Sequence, residues 1–195
     1  MDARHDERGG KTRTRNVVTF NKAMEKDIVN KVANSALQTI DLEELYPAGK
    51  RMVLDIKPWL FQEIILKETD FRAFVAAHDW QQYNNAFVAL TCSSEAVIPS
   101  WAYLLVSTQL FPLAKKVVVG DFVLLETVLF QEVISTLDIR SFSNKPVIIK
   151  GCADKPIPPT AFLLLIQKIQ PVAKSILYGE ACSTVPLYKQ PKKTE

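Results

Sequence analysis

The three cysteines of this chain, Cys92, Cys152 and Cys182, are the residues best suited to chemistry. Cys92 and Cys152 each come at the end of an apolar, β-branched run that predicts a strand, and Cys182 follows a third such run by two to three residues. Ligands of parallel sheets usually bind at the carboxyl ends of the strands. The three thiols are therefore predicted to lie in loops at one edge of one sheet.

Three thiolates that converge in this way would suit zinc, iron or an iron–sulfur cluster. The sequence contains no C-x-x-C pair, so the spacing alone is a weak signal. Glu180 and Asp121 are candidates for a fourth ligand, since each directly follows a glycine at a predicted strand end. The alternative for Asp121 is a favourable charge at the start of the next helix. The alternative for the cysteines is that they are small apolar side chains buried at strand ends.

A second interpretation is a cysteine-dependent enzyme. Cys92 or Cys152 would be the nucleophile, placed before a helix whose dipole lowers the pKa of the thiol. Such a nucleophile needs a base, and His78 is the only histidine outside the N-terminal tail. The sequence also lacks the glycine-rich nucleotide-binding motifs and the nucleophile elbow of hydrolases. A third interpretation is a non-catalytic scaffold that binds a partner protein with inert thiols.

The elements that must position the thiols follow a regular order from Asn85 onward. Short apolar runs such as KVVVG and VIIKG alternate with longer segments of helical period, which is typical of a mostly parallel α/β sheet covered on both faces, a three-layer domain. The helix predicted over residues 122–137 would connect the two halves. The strands after Asn85 and Asn144 would then be neighbours at the point where the strand order reverses.

The two halves of this region also predict an internal duplication. Sliding the chain by 59 residues without a gap aligns nine identical pairs, which span loop, helix and strand. The pairs are Ile98/Ile157, Pro99/Pro158, Ala102/Ala161, Leu104/Leu163, Leu105/Leu164, Pro112/Pro171, Ala114/Ala173, Lys115/Lys174 and Gly120/Gly179. We therefore predict a duplicated core over residues 85–188, with copies at 85–121 and 144–180.

The part of the chain before the core is less regular. Met24, Ile28, Val32 and Ala36 recur at intervals of four and predict an amphipathic helix. Residues 37–68 predict two or three short strands, after which Thr69 is predicted to cap a helix of about ten residues. Residues 17–84 are expected to pack on the main domain. Residues 1–16 and 189–195 are polar and are predicted to be disordered tails.

Composition limits the class of protein. The chain has 195 residues, of which 48% are hydrophobic and 23% charged, as expected of one globular domain. It has no apolar run long enough for a membrane span and no apolar leader, so we expect a cytoplasmic protein that does not bind membranes. The two tails carry +2 each and the rest of the chain −1, which argues against a nucleic-acid partner.

Several separated segments resemble a bacterial family catalogued as a domain of unknown function, number 2480. They are DIVNKVANSALQTIDLEELYP, AAHDWQQY, CSSEAVIPSWAYLL, KGCADKPIPPTAF and QPVAKSILYGEACSTVPLYK, which together extend from about Asp27 to Lys189. The resemblance implies a gene context beside the machinery of iron–sulfur cluster assembly, and hence assembly proteins as partners. It favours an accessory protein of iron–sulfur or metal metabolism with Cys92, Cys152 and Cys182 as ligands.

Overall fold

The computed structural model describes residues 37–151, 154–180 and 183–191. The predicted N-terminal tail and the helix predicted around Met24 and Val32 lie outside these residues, as do Cys152 and Cys182. The described strands, β1 to β7, are Gln38–Ile40, Arg51–Asp55, Phe87–Thr91, Lys116–Val119, Pro146–Ile149, Ser175–Glu180 and Ser183–Lys189. The described helices, α1 to α4, are Glu68–Ala77, Ser100–Leu110, Phe122–Thr136 and Pro159–Ile169.

The strands form a mixed α/β fold with mostly parallel pairing, which confirms the predicted fold class. They are divided between two sheets, however, and not collected in one. The three-stranded sheet has the order β2-β3-β4 and is entirely parallel. The four-stranded sheet has the order β1-β5-β6-β7, with β7 antiparallel to β6.

The division into two sheets corrects the predicted strand neighbours. β3 and β5 follow Asn85 and Asn144 and were expected to lie side by side, but β3 pairs with β2 and β4, while β5 pairs with β1 and β6. The physical reason is that a continuously apolar strand indicates burial on both faces without specifying its partner. The short strand β1 pairs with β5 in one sheet, and the short strand β2 pairs with β3 in the other, so β3 and β5 are not neighbours.

Helix α3 packs on both sheets. Its residues Leu125 and Leu129 are buried against Phe87, Ala89 and Val118 of the three-stranded sheet. Its residues Phe130 and Ile134 belong to the core that also contains the inward-facing residues of β1, β5 and β6 and the buried face of α4. The other face of the three-stranded sheet is covered by α1 and α2. Helix α3, which connects the two halves, therefore contributes to the cores of both sheets.

Several backbone features recur at the offset of 59 residues. Asn85 and Asn144 both adopt a left-handed conformation, with φ of 57° and 55°. The backbone amide of Asn85 donates to the Leu113 carbonyl at 2.9 Å, and that of Asn144 donates to the equivalent Val172 carbonyl at 2.8 Å. Helices α2 and α4 are also displaced by this offset. The two βαβ units thus share their local geometry, while their origin in an internal duplication stays a prediction.

The less regular parts of the sequence differ from expectation in two details. Helix α1 begins at Glu68 after Lys67 and has no side-chain cap, so Thr69 lies inside the helix and does not cap it. Residues 183–189 are the antiparallel strand β7, which therefore includes Lys189 of the predicted C-terminal tail. Within the described residues no helix has the length and apolar character that a membrane crossing requires.

Candidate functional site

Cys92 directly follows β3 at the carboxyl end of the three-stranded sheet. It is a free, half-buried thiol that packs against the core between this sheet and helices α1 and α2. Tyr103 of α2 packs against the same core; burial raises the pKa of its phenol, with a smaller contribution from the Asp55 carboxylate. Asp55 pairs with Thr91, the residue before Cys92, so Cys92 and Asp55 lie at the same end of the three-stranded sheet.

Asp55, the last residue of β2, fixes the loop that follows Cys92. Its carboxylate accepts hydrogen bonds from the Ser93 amide at 3.0 Å, the Ser93 hydroxyl at 2.5 Å and the Lys57 amide at 2.9 Å. Burial raises the pKa of Asp55, but these hydrogen bonds outweigh it, so the pKa lies below its usual value. An ionised, fully engaged carboxylate of this kind orders the loop. Asp55 was not among the site residues predicted from the sequence, although an acidic residue at the end of an apolar run was a signal.

A second carboxylate holds the corresponding end of the four-stranded sheet. Asp41 follows β1 and accepts from Lys150 Nζ at 2.8 Å and from the Glu43 amide at 2.9 Å. The hydrogen bond from Lys150 is the main reason that the pKa of Asp41 is lowered. Glu43 in turn accepts from the amides of Asp154 and Lys155, at 2.5 Å and 2.8 Å. The loop after β5 is thereby tied to the loop after β1 on both sides of Cys152 in the sequence.

The three cysteines follow strands of two different sheets. Cys152 comes three residues after the end of β5, and Cys182 comes two residues after the end of β6. β5 and β6 are adjacent and parallel, so both cysteines follow neighbouring strands at the same end of the four-stranded sheet. Cys92 follows a strand of the other sheet. The expectation that all three follow strands of a single sheet is wrong for Cys92.

The proposed fourth ligands have different surroundings. Asp121 caps α3 by accepting from the Leu124 amide at 2.8 Å, which confirms its interpretation as a charge at a helix start. Glu180 is the exposed last residue of β6, paired with Ser183 across the hairpin. No group of three or more histidine, cysteine or acidic residues with the geometry of a metal site occurs among the described residues.

His78, considered above as the base for a cysteine nucleophile, belongs to an aromatic cluster. Its ring lies 5.1 Å from Trp59, 4.8 Å from Trp80 and 5.7 Å from Tyr83, measured between ring centroids. Its Nε2 is 3.1 Å from the Tyr83 hydroxyl, and burial lowers the pKa of the imidazole. Trp59 is buried in the core, and the Trp80 indole donates to the Val75 carbonyl at 3.0 Å.

The comparisons with known proteins identify a family but no relative of known activity. No curated protein and no solved structure matches the chain. A family model does match, and it covers most of the chain, including both sheets and the segments around all three cysteines. Residues 26–190 match the model described as "Protein of unknown function (DUF2480)", and the chain belongs to that family.

Proposed function

We propose that this protein is an accessory factor of iron–sulfur cluster or metal metabolism in the cytoplasm, and that Cys152 and Cys182 are its principal ligands. The observation that supports the proposal is that β5 and β6 are parallel neighbours. Cys152 closely follows β5, and Cys182 closely follows β6. Neighbouring strands lie about 4.8 Å apart. Two thiolates on one tetrahedral zinc or iron ion lie about 3.8 Å apart, which follows from a metal–sulfur bond of about 2.3 Å.

The remaining ligands of such a site would come from nearby residues or from another protein. Glu180 is two residues before Cys182 and is exposed, so its carboxylate is a suitable third donor. Cys92 has less support as a ligand, because it follows a strand of the other sheet. A site with only two or three ligands leaves a coordination position free, as needed for transfer of a metal or cluster to an iron–sulfur assembly protein.

The test is the metal content of protein purified without oxygen. We expect iron with acid-labile sulfide, or zinc, near one site per chain in the wild type. Cys152→Ser and Cys182→Ser should each remove most of the metal, and Glu180→Gln should weaken its retention. Cys92→Ser is the matched control and should leave the metal content near that of the wild type.

Two results would reject the proposal. One is a wild-type protein without metal after anaerobic purification and after reconstitution with ferrous iron and sulfide. The other is a loss of only about one third of the metal in each of the three cysteine variants despite native circular dichroism, which would point to nonspecific thiol binding. A cysteine-dependent enzyme has less support, since the contacts of His78 within the described chain are made to the aromatic cluster and to Gln82.

A further inference from the structure

A hairpin of five residues, 61–65, displays apolar side chains to solvent beside helix α1. Phe61 is 43% exposed, Ile64 63% and Ile65 52%, and Phe74 of α1, which lines the same groove as Phe61, is 45% exposed. Isolated exposed apolar residues are common on monomers, but three within one short hairpin and a fourth across the adjoining groove indicate an interaction site. We call these four residues the apolar patch.

The hairpin is held in a conformation that its sequence disfavours. Gln62 and Glu63 both adopt left-handed backbone conformations, with φ of 51° and 61°, although neither is glycine or asparagine. Several contacts hold it there: the Phe61 amide donates to the Ile65 carbonyl at 2.8 Å, Lys57 pairs with Glu63 at 3.1 Å, and the Ser94 hydroxyl donates to the Glu63 carbonyl. Strain of this kind is often retained at functional surfaces.

A groove lies directly beside the hairpin. It has a volume of about 590 Å³ and is lined by Trp59, Leu60, Phe61, Gln62, Asp70, Ala73, Phe74 and Ala77. Ala73 and Ala77 are one helical turn apart, so their small side chains leave a depression along α1. The surface thus combines a projecting apolar hairpin with an apolar depression. In a dimer with a two-fold axis, the same patch is used by both copies, so a projection next to a depression can be self-complementary.

The charges around the groove are self-complementary as well. Glu68 pairs with Arg72, and Lys57 pairs with Glu63. Asp70 lines the groove and has no ion-pair partner in the part of the chain that the structure describes. Lys67 lies over the Phe61 ring, 3.2 Å from its centroid, and likewise lacks a carboxylate partner among those residues. One acidic and one basic group are therefore available at the same surface.

We propose that this surface binds a second copy of the chain. The 61–65 hairpin of each copy would occupy the groove of the other, and Lys67 of one copy would face Asp70 of the other. The proposal is independent of the thiol site, because it uses none of the cysteines. It concerns the three-stranded-sheet half of the molecule, whereas Cys152 and Cys182 follow strands of the four-stranded sheet.

The test is sedimentation equilibrium of the full chain over a range of concentrations. We expect a dimer in the wild type. Ile64→Lys and Phe74→Glu should each raise the dimer dissociation constant by at least about 30-fold, as at central interface residues. Leu163→Glu is the matched control, since Leu163 is 66% exposed on α4, away from the patch, and it should leave the dissociation constant unchanged. Circular dichroism and urea unfolding establish that each variant is folded.

A charge exchange tests the orientation of the two copies. Asp70→Lys and Lys67→Asp should each weaken the dimer, and the double variant should restore affinity to near the wild-type value. A wild-type monomer at 100 µM overturns the proposal and leaves another protein as the occupant of the groove. A dimer that Ile64→Lys and Phe74→Glu do not affect overturns it too, because the interface then lies elsewhere. Failure of the double variant to recover affinity overturns the pairing of Lys67 with Asp70.

Discussion

Arg51 and Glu126 form a buried ion pair across 75 residues of sequence, with Nε and Oε1 2.8 Å apart. Glu126 is 1% exposed and also accepts from the Tyr46 hydroxyl at 2.9 Å. Burial, more than the hydrogen bond to Glu126, raises the pKa of Tyr46 to about 12. The Arg51 guanidinium lies 4.0 Å from the centroid of the Tyr46 ring and donates to the carbonyls of Pro47 and Gly49. This network joins the β1–β2 connection to α3.

Removal of Glu126 should be strongly destabilising. Glu126→Leu leaves the Arg51 charge without its partner and the Tyr46 hydroxyl without its acceptor, so we expect a loss of about 3–5 kcal/mol in the free energy of unfolding. Replacing both charges, with Arg51→Met and Glu126→Leu, should recover much of this loss. Urea unfolding provides the measurement. Glu68→Gln, in an exposed pair, is the control and should cost below about 1 kcal/mol. Equal losses in the single and double variants would contradict this account.

The ion pair of Asp41 with Lys150 should make stability depend on acid pH. The pKa of Asp41 is lower in the folded protein than its ordinary value of 3.8, so its contribution is present above about pH 4–5 and is lost as the pH falls further. Asp41→Asn should therefore lose about 1 kcal/mol at pH 7 and flatten the dependence between pH 5 and pH 3. Urea unfolding followed by tryptophan fluorescence at several pH values measures this. An unchanged acid slope in the variant would show that other carboxylates dominate.

Asp121 should contribute to the stability of α3 and not to metal binding. Its carboxylate caps the helix at the Leu124 amide, so Asp121→Ala should lower the free energy of unfolding by about 1 kcal/mol, while Asp121→Ser should change it little. Metal content after anaerobic purification should be the same in Asp121→Ala as in the wild type. Loss of metal from a folded Asp121→Ala protein would restore this residue to the list of ligands.

Asn85 and Asn144 should respond alike to substitution. Each has a positive φ and donates to the connection that leads into the next strand. A β-branched residue is strained in this conformation, so Asn85→Val and Asn144→Val should each cost about 1–2 kcal/mol, whereas both glycine variants should be nearly neutral. Thermal or urea unfolding of the four variants makes the comparison. A large difference between the two valine variants would show that the two units depend on these turns to different extents.

Local patterns in the sequence predicted most of the elements. From Asn85 to Glu180 each apolar run and each helical segment corresponds to a strand or helix of the structure, because periodicity and length are local properties. Pairing is not local. The sequence placed β3 beside β5, but three residues of β1 and five of β2 supply each with a different neighbour. Strand β7 escaped prediction because Pro186 interrupts an otherwise strand-like run.

The candidate site was predictable only in its residue types. The sequence indicates which cysteines follow strands, and the structure shows that the strands before Cys152 and Cys182 are neighbours. The helix charge of Asp121 was predicted correctly from its position before an apolar helix. Glu126 was not singled out, although a lone acidic residue within the apolar run FVLLETVLF was a signal. Its partner Arg51 lies too far along the chain for any local pattern to connect the two.

Helix α3 contributes to the cores of both sheets, and this determines how the protein unfolds. Leu125 and Leu129 complete the core of one sheet, and Phe130 and Ile134 complete the core of the other. Neither sheet can lose its structure without exposing apolar residues of this helix, which in turn uncovers the second sheet. The chain between β1 and β7 should therefore unfold in a single cooperative transition, and a fragment cut on either side of α3 should not fold alone.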